Sequence, residues 1–337
     1  MGRFHQSCTI MRGTKMMRLS ALFSVGLLSA WAIAQQPSLL ERTGQEVSLV
    51  VERALPAVVT VEARLSGRLT RSSGFIIDPS GFIVCSAEGV RTQPQVAVYL
   101  SGGEPASARV VGVDNITGIA LLRLNATVKL PALTWGESER VPLGATTILI
   151  GNRSGLEGSV TVGTLGGKDR VGVRRDNQRV VLLLQFNGTV GSGEPGAPLL
   201  DSQGRVIGVM TGELASIEGA PTPPVAVVGF AVPSEIAQRV VNDLRTKGRA
   251  EHAWLGVDYQ GLPTGVVVRR VVFGSPAQQA GIQVGDIIAQ FGEKPIRTAA
   301  DLTRALYFAQ PNQRVTITVI REGQRVTIPV TLGMQSL

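Results

Sequence analysis

The sequence predicts a mostly β protein with two folded modules joined by a helix. Residues 50–228 repeat short apolar runs broken by Gly, Asn, Asp and Ser, a pattern typical of strands joined by turns. A stretch with helical spacing follows, and a second set of strands with two short helices ends the chain. With 44% hydrophobic residues, 40 glycines and only 17% charged residues, the composition argues against a disordered chain or a coiled coil.

The first element is an export leader at residues 1–34. An apolar, nearly uncharged run at 19–32 ends in the small-x-small site Ala32-Ile33-Ala34. The run is shorter than the roughly 20 residues that span a bilayer. We therefore expect a cleaved signal peptide and a periplasmic or secreted protein, with a retained inner-membrane anchor as the alternative. The basic residues before the run are Arg3, Arg12, Lys15 and Arg18.

Removing these four basic residues lowers the formal net charge from +8 to +4. No basic run with interleaved aromatic residues remains, so nucleic-acid binding is not expected. Cys85 is then the one cysteine left, and its place after an apolar run predicts a thiol packed in a core. Without a His/Cys cluster, we expect neither a metal site nor a cofactor.

The first module is predicted at residues 53–232, after an N-terminal segment at 35–52. Many short strands separated by turn residues predict an antiparallel barrel or sandwich rather than a βαβ fold. The predicted strands are 57–63, 74–78, 81–86, 95–100, 119–124, 146–151, 180–186 and 205–212.

A helix and linker at residues 233–252 come next. Ser234 is expected to cap the helix, and Gly248 is expected to end it. The apolar stripe at helical spacing consists of Ile236, Val240, Val241 and Leu244.

The second module is predicted at residues 253–337. Strands are expected at 254–257 and 265–272, and Ser275 starts a short helix that Gly281 stops. A strand and turn follow at 284–296 and a helix at 299–309. The chain then forms a hairpin whose turn is Glu322-Gly323.

The stretches GSPAQQAGIQVGDII and WLGV resemble a bacterial protease-associated PDZ domain. The resemblance implies that Leu255, Gly256 and Val257 form a loop that binds the carboxylate of a peptide or protein C-terminus. The ligand would extend as an added strand, with the 299–309 helix as the other wall of the groove. The alternative is a module that only packs against its neighbour, with the groove occluded.

The segments SSGFIID, LIGNRSGLEGSVTVGTLGG, GEPGAPLLDSQGRVIGV and GFAVPS resemble the HtrA/Deg-type, trypsin-like serine proteases. The resemblance implies a double six-stranded β-barrel. It also implies homotrimers built through the barrel, with the segment 37–55 near the interface, or a mixed oligomer with an active relative.

The same resemblance identifies three catalytic positions, all of them substituted. The run GFIVCSAE places Glu88 at the family's histidine, and TGIALL places Gly118 at its aspartate. The run GEPGAPL places Pro195 at the serine and leaves Gly193 in the oxyanion loop. Proline has neither a hydroxyl nor an N–H group, so nucleophile and half of the oxyanion hole are lost together. The sequence therefore predicts a pseudoprotease, with a cleft made acidic if Glu88 and Glu194 meet there.

The competing hypothesis is an active serine endopeptidase that uses displaced residues. The chain has only two histidines, His5 in the leader and His252 in the connector, and His252 would act only if the connector folded back over the barrel. Ser192 is a displaced nucleophile candidate, more simply explained as a turn serine, and Lys168 is a candidate base in a predicted turn. The favoured hypothesis is that the protein binds other proteins, as a chaperone-like scaffold for envelope proteins or as a regulator of an active relative. The third hypothesis is a purely structural protein with an occluded groove.

Overall fold

The computed structural model describes residues 38–335 except 66, 89, 104, 126–128, 175–179, 213 and 218–227, so the predicted leader lies outside the described residues. Among the described residues, the chain divides into two units between Glu46 and Val47. Helix α1 (Leu39–Ala54) begins in the first unit and ends in the second. Its start carries a capping box, in which the Glu41 N–H donates to Ser38 Oγ and the Ser38 N–H donates to Glu41 Oε2. Among the described residues, no helix has the length and apolar character needed to cross a bilayer.

Six antiparallel strands after α1 form the first barrel. They pair in the order β1-β2-β3-β6-β5-β4, and β4 closes the ring by pairing with β1. Cys85 lies fully buried on β3, and burial raises the pKa of its thiol, so the predicted core cysteine is confirmed. The strands are β1 (Val58–Leu65), β2 (Arg68–Asp78), β3 (Phe82–Ser86), β4 (Gln95–Tyr99), β5 (Pro105–Asp114) and β6 (Ile119–Leu124).

The next seven strands form the second barrel. Their order is β12-β8-β7-β10-β11-β13-β9, and β9 pairs back to β8, which closes a ring of six with β12 outside it. Strand β8 is long enough to pair with β7, β9 and β12, and its pairing with β9 shifts register after Leu165 and again after Gly167. The strands are β7 (Thr146–Arg153), β8 (Leu156–Arg174), β9 (Val180–Asn187), β10 (Pro198–Leu200), β11 (Val206–Met210), β12 (Leu214–Ile217) and β13 (Val228–Pro233). The predicted double six-stranded barrel is confirmed.

Helix α2 (Ser234–Lys247) packs its apolar stripe on the barrels, where Ile236, Val240 and Leu244 are buried. Gly248 ends it in a left-handed conformation, as predicted. The prediction that Ser234 caps the helix is wrong, because Ser234 is its first helical residue. The Ser234 hydroxyl instead accepts a hydrogen bond from the Ser138 N–H at 3.2 Å, which ties the helix to the chain before β7.

The C-terminal module contains a six-stranded antiparallel sheet, a two-stranded sheet and two helices. The sheet order is β15-β16-β17-β19-β20, β18 pairs with β17, and β14 pairs with β21. Glu322 and Gly323 both have positive φ, which confirms the predicted two-residue hairpin turn. The elements are β14 (Ala253–Trp254), β15 (Val257–Leu262), β16 (Gly265–Val271), α3 (Pro276–Ala280), β17 (Ile287–Phe291), β18 (Lys294–Pro295), α4 (Ala299–Phe308), β19 (Arg314–Arg321), β20 (Gln324–Thr331) and β21 (Gly333–Met334).

Candidate functional site

A groove of about 400 Å³ runs along the C-terminal module between the edge strand β15 and helix α4. The three residues predicted to bind a carboxylate, Leu255, Gly256 and Val257, all line it. The wall also includes polar and charged side chains, so the groove offers apolar contacts with polar groups at its rim. These side chains include Asp258, Tyr259, Arg270, Thr303 and Gln335.

Two backbone hydrogen bonds fix the loop formed by Leu255, Gly256 and Val257 at the end of the groove. The Leu255 carbonyl accepts from the Ala277 N–H and the Gly256 carbonyl accepts from the Val272 N–H, both at 2.9 Å. Gly256 has φ +82°, and a Cβ there would lie 2.1 Å from the Cβ of Ser275. The turn therefore requires glycine for both its backbone angle and its close approach to the Ser275 side chain.

One side of the groove offers an edge for strand addition. Strand β15 pairs with β16 and ends the sheet, so its other edge faces helix α4. Tyr259 on β15 reaches across to α4, where its hydroxyl lies 2.7 Å from Thr303 Oγ1. An extended peptide can pair with such an edge through its main chain while its side chains enter the groove.

Helix α4 has three occupied faces, and Thr303, Leu306 and Tyr307 line the groove. A second face packs in the core of the C-terminal module, and the third packs with the core of the barrels. The groove wall is thus attached to both domains. The faces carry Thr303 and Leu306 at the groove, Leu302 and Ala305 in the module core, and Ala300 and Tyr307 in the barrel core.

Two arginines reinforce this attachment. The Arg304 guanidinium on α4 donates to the carboxylates of Glu139 and Asp169, which belong to the barrels. Arg239 on α2 donates to the Ala309 carbonyl at the end of α4, at 2.9 Å. Helix α4 is therefore held by charge as well as by apolar packing.

His252 folds back onto the first barrel. Its Nε2 lies 3.0 Å from Asp114 Oδ1, and its ring meets the Tyr307 ring edge-on at 5.6 Å between centroids. The connector thus adopts the arrangement that the displaced-base hypothesis required, but the partner of the imidazole is a buried carboxylate. The contact joins connector, barrel and α4, and it sits at the groove, whose lining includes His252.

Asp114 is the centre of a buried polar cluster. Burial acts to raise the pKa of its carboxyl, but hydrogen bonds from His252, Thr117 and Ile116 outweigh it, and the pKa lies below its ordinary value of 3.8. Asp114 Oδ2 accepts from both the hydroxyl and the N–H of Thr117, and Oδ1 accepts from the Ile116 N–H. These bonds fix the turn between β5 and β6.

Replacing Asp114 by asparagine is expected to lower the free energy of unfolding at pH 7 by about 2 kcal/mol, as for a buried hydrogen-bonded charge. A carboxyl whose pKa is lowered by folding stabilises the protein above its unfolded pKa, and this stability is lost as pH falls through the folded pKa. The difference between the wild type and Asp114→Asn should therefore shrink below pH 3.8. Urea unfolding at a series of pH values measures it, and a difference that does not change with pH would contradict the assignment.

The three predicted degenerate catalytic positions lie on turns that meet. The Ala87 N–H, next to Glu88, donates to the Gly118 carbonyl at 2.8 Å, and the Ser73 N–H donates to the Pro195 carbonyl at 3.1 Å. A Cβ on Gly196 would lie 2.4 Å from the Ser86 backbone nitrogen, so the turn containing Pro195 presses against the end of β3. The Glu88 side chain is exposed.

The loop that carries Gly193 and Pro195 is anchored by an ion pair between a buried carboxylate and a partly exposed arginine. The Glu194 side chain is fully buried, and its Oε1 lies 3.2 Å from Arg153 Nη2. The Gly191 N–H also donates to this carboxylate. The acidic cleft expected from Glu88 and Glu194 is therefore wrong, because Glu194 is buried and neutralised.

The displaced catalytic candidates do not assemble. Ser192 Oγ lies 3.3 Å from Ser154 Oγ. Lys168 lies within strand β8 rather than in the predicted turn, and its Nζ donates to the Glu139 carbonyl at 2.7 Å. Neither contact involves the imidazole of His252.

Sequence reasoning missed the residues that join the domains, Asp114, Ile116 and Arg304. For Asp114 a local signal exists, since Asp-x-x-Thr is a spacing at which a carboxylate binds the next turn's N–H and hydroxyl groups. Ile116 and Arg304 carry no such signal, because their partners are distant in the chain.

Comparisons with known proteins agree with this architecture. Residues 72–209 match the profile of the trypsin-like peptidase domain, and residues 253–332 match that of the PDZ domain. The chain is 33% identical over 278 residues to a "probable periplasmic serine endoprotease DegP-like" of Chlamydia trachomatis, covering 78% of this chain and 54% of the relative. A protein of the same name from Pseudomonas fulva is 30% identical over 273 residues, covering 77% and 55%. The chain thus spans about half the length of these relatives.

Among solved structures, the HtrA-type protease AlgW with a tripeptide superposes with a TM-score of 0.72 at 25% identity, over 86% of this chain and 97% of that one. A serine endoprotease from Yersinia pestis superposes with a TM-score of 0.65 at 27% identity, over 90% and 100%.

Proposed function

This chain combines an HtrA/DegP-type trypsin-like protease domain with a C-terminal PDZ domain, and from this premise we propose that it binds peptide C-termini without cleaving them. Its site would be the groove between β15 and α4, with Leu255, Gly256 and Val257 receiving the terminal carboxylate. The observation that carries the proposal is a formed groove whose lining includes all three residues expected to receive the carboxylate. The proline that the resemblance assigns to the nucleophile position supports binding without cleavage.

Loss of catalysis follows from the chemistry of the three positions. Glu88 cannot serve as a general base and then as an acid at neutral pH in the way an imidazole does, and its side chain is exposed. Gly118 has no side chain to orient a base. Pro195 supplies neither a hydroxyl nor a backbone N–H for an oxyanion.

The ligands we propose are exposed C-termini or extended segments of envelope proteins. The protein would hold such segments as a scaffold or chaperone, or it would regulate an active relative within a mixed oligomer. The names of the relatives place those proteins in the periplasm, which supports the same location for this chain. A homotrimer built through the barrel, with the segment 37–55 near the interface, remains part of the proposal.

The second candidate is an active serine endopeptidase, which the names of the relatives favour. It requires a nucleophile other than the residue at position 195, and Ser192 is the first candidate. Its hydroxyl contacts Ser154 rather than a base, which weighs against this candidate.

Hydrolysis of unfolded casein separates the two candidates. We expect the purified mature protein to release no fragments and to take no label from a fluorophosphonate, just as Pro195→Ala does. Cleavage that co-purifies with the protein, survives Pro195→Ala and is lost in Ser192→Ala would overturn the proposal in favour of the protease.

Binding is tested by comparing peptides with free and amidated C-termini. A loop that receives a carboxylate loses affinity when the charge is removed, so only the free peptide should bind well. Equal affinity for both forms would exclude the carboxylate loop, and no binding of either would favour a structural module with an occluded groove.

A further inference from the structure

A second groove lies on the first barrel, at the end where strands β1 and β4 separate, and is called the barrel groove below. The two strands pair with each other only over residues 60–62 of β1 and 97–99 of β4. Strand β1 continues along β2 to Leu65, and β4 runs along β5 from Gln95, so both strands extend past their shared segment. The space between them is about 480 Å³, and it shares no lining residue with the groove between β15 and α4.

The edge of β1 in the barrel groove has backbone groups that face an open space. In the described part of the chain, no strand pairs with this edge beyond Glu62. The Gln93 side chain donates through Nε2 to the Arg64 carbonyl at 3.2 Å, so this carbonyl points into the groove. In an antiparallel strand the N–H and the carbonyl of one residue point to the same edge, so the Arg64 N–H points there as well. Such an edge can be extended by an added strand.

The two sides of the barrel groove differ in polarity, because successive side chains of a strand point to opposite faces. Ala63 on β1 and Val96 on β4 line the groove from the inner face and are buried. Arg64 on β1 and its partner Leu69 on β2 lie on the outer face and are exposed. An added strand alternates in the same way, so it would place small apolar side chains inward and charged side chains outward.

Arginines give the outer rim of the barrel groove a net positive charge. Arg64 lines the groove, and Arg109 on β5 lies directly opposite Gln95, another lining residue. Both arginines are exposed. Among the described residues that line the groove, Glu62 is the one acid, and Arg71 pairs with it at 3.0 Å. The charge of Glu62 is therefore compensated, and the rim attracts an anionic ligand.

We propose that the barrel groove binds an extended acidic segment of another protein by strand addition. The segment pairs through its main chain with the edge of β1 at Arg64. Its carboxylates lie beside Arg64 and Arg109, and its small apolar side chains point inward. Because no terminal carboxylate is needed, the barrel groove accepts internal segments of a chain. The proposal therefore goes beyond the binding of C-termini and does not rest on it.

The test uses the full mature chain and an octapeptide, Glu-Val-Asp-Ala-Glu-Val-Asp-Ala, with a neutral fluorophore at its N-terminus. The alternation of acidic and small apolar residues matches the two faces of the barrel groove. The C-terminus is amidated, so the loop at Gly256 has no carboxylate to receive. The control peptide replaces every Glu by Gln and every Asp by Asn, which removes the charge and keeps the shape.

We expect Arg64→Gln with Arg109→Gln to bind the acidic peptide about fivefold or more weakly than the wild type in low salt, because two exposed ion pairs are lost together. High salt should reduce this difference, since exposed charges are screened. Arg314→Gln with Arg325→Gln is the matched control, because it removes the same charge from exposed positions on β19 and β20. It should bind the acidic peptide like the wild type, and both double variants should unfold at the wild-type temperature.

Hydrogen exchange locates the bound peptide on the wild-type protein. We expect exchange to slow at residues 62–65 and 94–97 when the acidic peptide is added, because these segments form the two edges of the barrel groove. An excess of an unlabelled peptide with an apolar, free C-terminus should not displace the acidic peptide. Displacement by that peptide would place both ligands in the groove between β15 and α4 and overturn the proposal.

Three further results would also overturn it. The acidic and neutral peptides might bind equally, which would exclude recognition of charge. Both double variants might weaken binding alike, which would show attraction to the overall charge of the chain. The acidic peptide might fail to bind while phosphatidylglycerol vesicles bind and lose affinity with Arg64→Gln and Arg109→Gln, which would make the surface a lipid contact. None of these results bears on the proposed function, whose test uses the free C-terminal carboxylate.

Discussion

Replacing Arg153 by methionine is expected to destabilise the protein by about 3 kcal/mol, as when one partner of a buried ion pair is removed. Glu194 is fully buried, so its carboxylate would remain in the barrel without a counter-charge. Arg153 also donates to Thr161 Oγ1 and to the Thr189 carbonyl, and both bonds would be lost. The shift in urea midpoint of the mature protein measures the effect.

Replacing the other partner of the pair, Glu194, by glutamine should lower the free energy of unfolding by less. In Glu194→Gln the side chain of Arg153, which is 30% exposed, can turn toward water, and the new amide oxygen still accepts from the Gly191 N–H. The double variant Arg153→Met with Glu194→Gln should also be more stable than Arg153→Met alone, because no buried charge remains uncompensated.

Arg140→Met is the control. Its pair with Glu137 is exposed, so losing it should change the free energy of unfolding by less than about 1 kcal/mol. An Arg153→Met protein as stable as this control would show that the pair does not hold the loop.

The Arg153–Glu194 pair illustrates what the sequence could and could not predict. The glycine and proline spacing of GEPGAPL identifies the loop, and the apolar run at 180–186 predicts the strand before it, whereas the strand directly after it, β10, is not predicted. Glu194 looked like a surface charge facing the cleft, because nothing local shows that an arginine 41 positions earlier neutralises it. Pairing between distant charges depends on barrel closure, which a single sequence does not encode locally.

Local signals were reliable where they were self-contained. Ser275 caps α3, Gly248 ends α2, and Glu322-Gly323 turns the last hairpin, all through interactions within a few residues. The predicted strands lack β5, β8, β10, β12 and β13. Strands β10 and β12 are only three and four residues long and β5 is largely half-buried, so these three give little alternation to detect. The docking of the connector was missed for a different reason, since His252 meets Asp114 across 138 positions.

The cleft around Pro195 and the groove between β15 and α4 should therefore respond differently to substitutions. The loop around Pro195 is held by Arg153 and by the packing of Gly196 on β3, and under the proposed function Glu88, Gly118 and Pro195 would not carry the proton transfers of a serine protease. The groove has an edge strand, a glycine turn and a helix that also contacts the barrels. Substitutions in the cleft should mainly change stability, while substitutions in the glycine turn should change binding.

Replacing Gly256 by alanine is expected to weaken binding of the free-carboxylate peptide by about 100-fold or more. At about 1.4 kcal/mol for each tenfold change in affinity, this loss is about 2.8 kcal/mol. The new Cβ would lie 2.1 Å from the Ser275 Cβ and 2.7 Å from its Oγ, so the turn must move. Movement breaks the hydrogen bond from the Val272 N–H to the Gly256 carbonyl, which holds the turn in place. The fluorescence anisotropy of a fluorescein-labelled decapeptide with an apolar, free C-terminus measures this loss of affinity.

Gly274→Ala is the matched control in the same module. Gly274 also has positive φ, +72°, but a Cβ there would meet nothing within 4 Å. This variant experiences the backbone strain of a left-handed alanine, about 1 kcal/mol, without a steric clash. It should therefore lose a little thermal stability and keep its affinity within about threefold. If Gly256→Ala binds as well as Gly274→Ala while both remain folded, the carboxylate is received elsewhere, and the edge of β15 alone would have to account for binding.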